Sequence, residues 1–181
     1  MITGEKQVWT IGHSTYPIDV FIEMLLSFGI TLLADVRRYP ASRRHPQFNA
    51  TELRQQLEAK GIGYIHYPQL GGRRAPRPDS VNIAWRLAAF RGYADYLETP
   101  DFKEAITSLQ QEASHQPTAY MCAEAPWWRC HRALISDYLK AEGWKVMHIM
   151  KAGKADEHPY TSAAAIVDGK LDYTQNGLPF K

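Results

Sequence analysis

The sequence predicts a single-domain α/β fold over residues 1–181, in which a mostly parallel sheet of about five strands is flanked by helices and followed by a small C-terminal hairpin. Along the chain, apolar residues alternate between strand-like runs and the spacing of amphipathic helices. Strands that alternate with helices pair in parallel, and the helices cover both faces of the sheet in a three-layer arrangement. The length of 181 residues is sufficient for one domain with its own core.

The predicted strands are short runs rich in apolar residues. Residues 31–36 form a nearly continuous apolar run, which is typical of a strand buried on both faces. Near the end of the chain, residues 166–171 predict a hairpin with a primed turn at Asp168-Gly169. The five strands of the main sheet are predicted at residues 8–12, 31–36, 62–67, 117–122 and 145–149.

Helical spacing fills the intervals between these strands. The first helix has Pro17 near its first turn and ends at Gly29. The second begins with a capping box formed by Asn49 and Glu52. The apolar face predicted for the first helix consists of Val20, Phe21, Met24, Leu25 and Phe28.

The second half of the chain contains three more predicted helices. After a loop at residues 70–78, two helices are separated at Thr99-Pro100, and the first of them includes Trp85. The last helix is predicted at residues 130–142, with Gly143 as its stop signal.

The composition is that of a soluble globular protein, with 45% hydrophobic residues, 22% charged residues and a net charge of +2. No apolar run approaches the roughly 20 residues of a membrane span, and the N-terminal residues lack the features of a secretion signal. Two cysteines do not make a secreted disulfide framework. We therefore expect a cytoplasmic protein without a membrane partner.

Polar or ionisable side chains follow every predicted strand of the main sheet. Because the carboxyl ends of parallel strands meet at one edge, these side chains are expected to line a shared site. Burying such groups without partners costs free energy, which favours a function, although Ser14 and Asp35 could instead satisfy loop backbone groups. In strand order the groups are His13 and Ser14, Asp35 with Arg37 and Arg38, His66, Cys122 with Glu124, and His148.

Arginines are concentrated in three predicted loops or helix starts. The arginine fork binds phosphate or carboxylate through two parallel hydrogen bonds, so the clusters predict a phosphate-bearing small molecule or nucleic acid as the partner. Solvated loops with scattered ion pairs are the structural alternative. The net charge of +2 argues against extended duplex binding. The clusters are Arg37, Arg38, Arg43 and Arg44; Arg73, Arg74 and Arg77; and Arg129 and Arg132.

Residues 121–132 hold both cysteines between a predicted strand and a predicted helix. Cys130 lies near the helix start beside His131 and two arginines, a setting that lowers a thiol pKa and suits a nucleophile. The alternatives are a zinc site formed by Cys122, Cys130 and a histidine such as His131 or His13, and a redox pair of the two cysteines. Taken alone, Cys122 fits a small buried residue. Adjacent residues on a helix point in different directions, so no metal ligand is assigned. A cysteine phosphatase loop is disfavoured because the spacing and the bulky intervening residues do not fit.

The motifs of the chain resemble a prokaryotic family known as domain of unknown function 488. The resemblance implies a compact α/β fold in a cytoplasmic protein but no established reaction, and a label as DNA repair proteins is attached loosely to some members. It covers nearly the whole chain. The residues that carry it are Thr10-Ile11-Gly12-His13-Ser14, Asp35-Val36-Arg37, Pro40, Ser42-Arg43, Pro46, Phe48, Leu70-Gly71-Gly72, Trp85-Arg86, Phe90-Arg91-Gly92-Tyr93-Ala94, Cys122-Ala123-Glu124, Cys130-His131-Arg132 and His158-Pro159.

The leading functional hypothesis is an enzyme that acts on a phosphate-bearing substrate, with Glu124 as an acid–base group or as an orienter of arginine. The alternative is a purely structural role for Glu124, in an ion pair with Arg132 or Arg37. A non-catalytic nucleotide- or nucleic-acid-binding module and a thiol or metal redox protein stay open, and no cofactor or oligomeric state is assigned. The candidate catalytic residues are Glu124, Cys130, His131, Asp35 and His13. The candidate substrate-binding residues are Ser14, Arg37, Arg43, His66, Arg129, Arg132 and Trp128.

Overall fold

A computed structural model of the chain describes residues 4–174. The first three residues, which belong to the segment interpreted above as lacking a secretion signal, and residues 175–181 lie outside this range. Within it, the strands are β1 (Gln7–Gly12), β2 (Leu32–Asp35), β3 (Gly63–His66), β4 (Thr118–Cys122), β5 (Lys145–Lys151), β6 (Lys154–Glu157), β7 (Ala165–Val167) and β8 (Lys170–Asp172). The α-helices are α1 (Ile18–Leu26), α2 (Ala50–Glu58), α3 (Ala88–Tyr96), α4 (Pro100–His115) and α5 (Arg132–Ala141).

The main sheet has the strand order β3-β2-β4-β1-β5-β6. The first five strands of the chain run parallel, and β6 joins β5 in antiparallel fashion at the edge. This arrangement confirms the predicted α/β class and adds one edge strand. The chain moves outward from β1 to β2 and β3 and then returns, so that β4 lies between β2 and β1. Such a reversal opens a crevice at the carboxyl ends of the central strands.

Two hydrophobic cores lie on opposite faces of the sheet. Along β4 successive side chains alternate between them: Ala119 and Met121 contact one core, and Tyr120 and Cys122 contact the other. The first core includes apolar residues of α1 and α2, and the second includes those of α3, α4 and α5. The sheet is therefore the middle layer of three, as predicted. None of the helices within residues 4–174 combines the length and apolar character needed to cross a membrane.

Several local predictions differ from the structure. The α1 face that enters the core contains Ile22, whereas Val20 is 37% exposed. Asn49 does not cap α2 with its side chain, because its Oδ1 accepts a hydrogen bond from the backbone N of Ser42 at 2.6 Å. Trp85 precedes α3 rather than belonging to it.

Two differences affect the site directly. The last long helix begins at Arg132, because residues Trp127–Arg129 form a short 3-10 helix and Cys130 and His131 precede α5. The fifth strand continues to Lys151, so His148 lies inside β5 and not at its end. The β7–β8 hairpin is confirmed, since Asp168 and Gly169 both have positive φ, as a primed turn requires.

A chain of buried side chains joins β1, β5 and α5. Thr10 Oγ1 lies 2.9 Å from His148 Nδ1, His148 Nε2 lies 2.8 Å from His158 Nδ1, and His158 Nε2 donates to Asp137 Oδ1 at 2.8 Å. A carboxylate only accepts hydrogen bonds. With both imidazoles neutral, every donor along this chain therefore points towards Asp137. The carboxylate of Asp137 also accepts hydrogen bonds from Thr161 and Tyr173.

Burial of His148 predicts a specific loss of stability in acid. Desolvation, with the nearby His158 and Arg132, lowers the pKa of His148 from 6.5 to about 2. Between these values the unfolded chain binds a proton that the folded protein does not, so stability falls as the pH falls below about 6.5. His148→Gln should reduce the slope of unfolding free energy against pH, from pH 6 to pH 4.5, by about 1.4 kcal/mol per pH unit.

Urea unfolding at a series of pH values measures this slope. His115→Gln is the matched control, because the His115 side chain is exposed in the folded protein, as it is in the unfolded chain. The change of slope in this control should be smaller than in His148→Gln, because the His115 side chain is not buried. Identical slopes for the wild type and His148→Gln would show that His148 does not govern the acid sensitivity.

Candidate functional site

A cavity of about 850 Å³ lies at the carboxyl ends of β1, β2 and β4. Residues directly after each of these strands form its walls, and the segment before α5 forms its floor. This is the edge of the sheet at which the sequence predicts a shared site. Lining residues with polar or ionisable side chains include His13, Ser14, Arg37, Arg38, Ser42, His45, Arg73, Glu124, Arg129, Cys130 and His131.

Arg37 is anchored to the end of β2 by a buried ion pair with Asp35. The guanidinium donates to the carboxylate through Nε at 2.9 Å and through Nη2 at 2.7 Å, and Asp35 is completely buried. Tyr64 donates to the same carboxylate, and His66 Nε2 donates to the carbonyl oxygen of Arg37 at 2.7 Å. The remaining terminal nitrogen, Nη1, lies 3.4 Å from Nε2 of His13. Arg37 therefore enters the cavity wall with a fixed orientation.

His13 is held in a neutral state beside Arg37. Its Nδ1 donates to the carbonyl oxygen of Ser14 at 2.8 Å, and its ring stacks on Phe48 with centroids 4.2 Å apart. Burial, with the charge of Arg37, lowers the pKa of His13 to about 4. Nε2 is then an acceptor near pH 7, and it is turned towards the Arg37 guanidinium. Ser14 adopts a φ of 46°, which few residues other than glycine do, at the point where β1 gives way to the cavity wall.

Arg132 holds the loop after β4 from below. Its guanidinium donates to Thr10 Oγ1 at 2.8 Å, to Cys122 Sγ at 3.1 Å and to the carbonyl oxygen of Glu124. The same loop presses against β1 so closely that a Cβ added to Gly12 would lie 1.9 Å from that carbonyl oxygen. Glycine at position 12 and arginine at position 132 thus place Glu124 at the rim of the cavity.

Cys130 and His131 converge at the floor of the cavity. Cys130 Sγ lies 3.5 Å from His131 Nδ1, while His131 Nε2 donates to the carbonyl oxygen of Val36 at 3.0 Å. The expectation that these neighbours point apart is wrong, because Cys130 has extended backbone before α5 and only His131 has helical dihedral angles. Burial alone raises the pKa of Cys130, but the hydrogen bond from Cys122 and the charge of Arg132 outweigh it and lower the pKa to about 7. Burial raises the pKa of Cys122 well above its usual range.

The charge of the cavity wall is mainly positive. Four arginines line it, namely Arg37, Arg38, Arg73 and Arg129, and Glu124 is the carboxylate among the lining residues. The Arg129 side chain is exposed, and no carboxylate in the described part of the chain lies within 4.0 Å of it. The same holds for the carboxylate of Glu124, which has no cation within 4.0 Å among residues 4–174. The structural ion pair considered for Glu124 is therefore absent from the described residues.

A comparison with protein families matches residues 17–139 to the family described as "Domain of unknown function DUF488". The chain belongs to the DUF488 family. This confirms the resemblance drawn from the sequence motifs. The DUF488 match begins after His13 and Ser14 and ends before His158, so it is shorter than the stretch over which the motifs extend. Neither the curated proteins nor the solved structures give a match.

Within this DUF488 protein, several predicted site residues do not line the cavity. Asp35 lies behind Arg37, His66 supports the backbone of Arg37, and Arg132 is 1% exposed with its guanidinium bonded inside the protein. Arg43 is exposed outside the lining, and Trp128 is 52% exposed beyond it. The geometry gives Asp35, His66 and Arg132 the task of positioning other groups. The predicted residues that do line the cavity are His13, Ser14, Arg37, Glu124, Arg129, Cys130 and His131.

The sequence patterns predicted no role at the site for His45 or Gly72, and for Tyr93 they favoured core packing over stacking on a base. Gly72 packs against the His131 ring, and a Cβ added there would lie 3.0 Å from His131 Nδ1. The Tyr93 ring also packs against the His131 ring, with centroids 5.3 Å apart. The segment Leu70-Gly71-Gly72 was predicted only as part of a loop. Paired glycines permit a close approach of the backbone, but the residue they approach could not be identified without the fold.

Removing the Arg37 side chain should destabilise the protein, because it leaves the Asp35 carboxylate buried without a cation. Arg37→Met is expected to lower the free energy of unfolding by about 3–5 kcal/mol. The double variant Asp35→Asn/Arg37→Met should cost less than this single change, since no uncompensated charge remains. Urea unfolding at pH 7 measures both values.

Arg38→Met is the matched control, because the neighbouring Arg38 is exposed and should change stability by less than about 0.5 kcal/mol. A double variant as unstable as Arg37→Met would contradict the role assigned to the buried ion pair.

Proposed function

We propose that this protein is an enzyme that binds a phosphate-bearing substrate at the carboxyl ends of β1, β2 and β4. The observation that supports the proposal most strongly is the Arg37 side chain, held in one orientation by Asp35 at the wall of a cavity with three further arginines. A guanidinium fixed before the ligand arrives loses little side-chain entropy on binding. Oriented, partly desolvated arginines are a common way to bind phosphate.

The dimensions of the cavity favour a nucleotide over an extended duplex. Its volume of about 850 Å³ lies within the range of roughly 300–1,000 Å³ that small-molecule sites occupy. A net charge of +2 is small for a protein that covers many phosphates of a duplex. A mononucleotide, or the terminal nucleotide of a single strand, is the substrate class that fits both observations.

Glu124 is the group proposed to transfer a proton. It stands at the rim, its backbone is held by Arg132, and its carboxylate faces no cation within 4.0 Å in the described chain. A carboxylate free of an ion pair can accept a proton from an attacking water or hydroxyl and return it to a leaving group. Arg37 and Arg129 would hold the phosphate while this transfer takes place.

Glu124→Gln separates an enzyme from a binding module. Turnover of p-nitrophenyl phosphate and bis(p-nitrophenyl) phosphate should fall by about 10²–10⁴-fold in this variant, because the amide cannot take up a proton. Binding of inorganic phosphate and of a nucleoside monophosphate, measured by calorimetry, should be unchanged or tighter. Arg129→Gln should weaken the same binding by about 10–100-fold, since a charge-assisted hydrogen bond is lost.

The controls are Glu104→Gln and Arg86→Gln, which change exposed side chains outside the cavity and should alter neither quantity. Phosphate binding that depends on Arg129 without turnover of any probe would favour a non-catalytic nucleotide-binding module. Phosphate binding that is equally strong in Arg129→Gln would contradict the proposed site.

A further inference from the structure

The two cysteines and His131 lie close together, and the proposed acid–base and phosphate-binding roles involve none of them. The ligand-capable atoms of Cys122, Cys130 and His131 all lie within 4.8 Å of one another. All three residues also line the cavity. Cys122 is the last residue of β4 and the other two directly precede α5, so the convergence is a product of the fold.

We propose that Cys122, Cys130 and His131 form a three-ligand site for Zn²⁺ whose fourth position opens into the cavity. Two thiolates and one imidazole form a donor set that favours zinc over the oxygen-seeking ions magnesium and calcium. Three protein ligands with an open fourth position are the pattern of catalytic zinc, whereas structural zinc is enclosed by four. The zinc site lies in the same cavity as the proposed phosphate site. Only the identity of its fourth ligand rests on the proposed function.

The spacing of two of the ligands already fits zinc. Bond lengths of about 2.3 Å to sulfur and 2.0–2.1 Å to nitrogen place the two donor atoms of a tetrahedral site about 3.6 Å apart. Cys130 Sγ and His131 Nδ1 are 3.5 Å apart. The sulfur atoms of a tetrahedral site lie about 3.8 Å apart, so the 4.8 Å limit for the whole group requires a shift of about 1 Å at most.

The orientation of His131 is that of a metal ligand. Its Nε2 donates to the carbonyl oxygen of Val36 at 3.0 Å, which leaves the lone pair of Nδ1 directed towards Cys130 Sγ. Metal-bound histidines characteristically donate their second ring N–H to a carbonyl or carboxylate in this manner. Gly72 and Tyr93 pack against the ring and restrict its rotation.

Arg132 contributes charge to the site. Its guanidinium is 1% exposed and has no carboxylate partner in the described chain, but it donates to Cys122 Sγ at 3.1 Å, and its backbone N donates to Cys130 Sγ at 3.4 Å. Buried cations need a counter-charge, which thiolate sulfur supplies. Two thiolates, Arg132 and Zn²⁺ together leave one positive charge. An anionic fourth ligand, such as hydroxide or a phosphate oxygen of the substrate, would neutralise it.

Binding exchanges the thiol protons still present on the two cysteines for the ion, and these protons pass to the buffer. No electron transfer is involved. Full-length protein purified with a non-thiol reductant, stripped with a chelator and loaded with ZnCl₂ tests the site by elemental analysis. We expect one zinc per chain. Loading with Co²⁺ should give the intense visible bands of tetrahedral cobalt and a thiolate-to-cobalt charge-transfer band in the near ultraviolet.

The affinity for zinc should fall in each of the variants Cys122→Ser, Cys130→Ser and His131→Gln. The loss should exceed the roughly 10–100-fold that follows removal of an outer-shell hydrogen-bond partner. His45→Gln, which changes a cavity-lining histidine outside the ligand group, should retain full metal content. If the cysteine variants do not fold, the cobalt spectrum of the wild type still decides. A cobalt spectrum without the charge-transfer band, or zinc content unchanged in Cys122→Ser and Cys130→Ser, would overturn the metal site.

The two proposals fail separately. Protein that takes up no zinc on loading, but binds inorganic phosphate through Arg129, would overturn the zinc site and leave the proposed function in place. Zinc held by the two cysteines, in a protein that binds no phosphate with or without the ion, would overturn the proposed function and support the metal site.

Discussion

The guanidinium of Arg132 joins the fold to the candidate site. It lies under the cavity, where it bonds to Thr10 on β1, to Cys122 on β4 and to the carbonyl oxygen of Glu124 in the loop after β4. These bonds connect two neighbouring strands to the loop that carries Glu124. Because the charge is buried, it can be retained only while these partners stay in place. The shape of the cavity floor therefore depends on one side chain that does not reach the cavity.

The same guanidinium sets the electrostatics on both sides of the sheet edge. Above it, Cys122 Sγ accepts a hydrogen bond from the guanidinium and Cys130 Sγ accepts one from the backbone N of Arg132. The charge of Arg132 helps to lower the pKa of Cys130, whereas burial keeps the pKa of Cys122 high. Below it, Thr10 passes the interaction through His148 and His158 to the carboxylate of Asp137. A positive charge at one end and a negative charge at the other orient every donor in between. The carboxylate of Asp137 thus lies at the far end of a hydrogen-bonded chain that begins at the Arg132 guanidinium.

The Asp35–Arg37 ion pair provides a second fixed charge, at the wall rather than the floor. Asp35 directs two guanidinium nitrogens away from the cavity and leaves the third beside His13. A neutral His13 leaves Arg37 as the cation of this pair and does not compete for the Asp35 carboxylate. The cavity therefore presents a fixed arginine on one side and exposed Arg129 on the other, with sulfur and imidazole between them.

Local rules predicted the parts of this architecture whose causes are local. The Asp168-Gly169 turn, the alternation of strands and helices, and the placement of polar groups after β1, β2 and β4 all follow from short stretches of sequence. Features that depend on strand order could not be predicted from the sequence, because no local pattern shows that β4 inserts beside β1. Arg132 therefore looked like a substrate-binding group, although Thr10 and Cys122 bury it. His148 was assigned to a strand end because nothing in its neighbourhood shows that β5 continues to Lys151.

The proposed function requires that the arginine-lined cavity bind an anion at Arg37. Crystals of the wild-type protein soaked in tungstate, a phosphate analogue with strong anomalous scattering, test it directly. We expect an anomalous peak in the cavity, with oxygen atoms within hydrogen-bond distance of the Arg37 and Arg129 guanidinium groups. Tungstate bound only at the exposed Arg43 and Arg44, with none in the cavity, would contradict it.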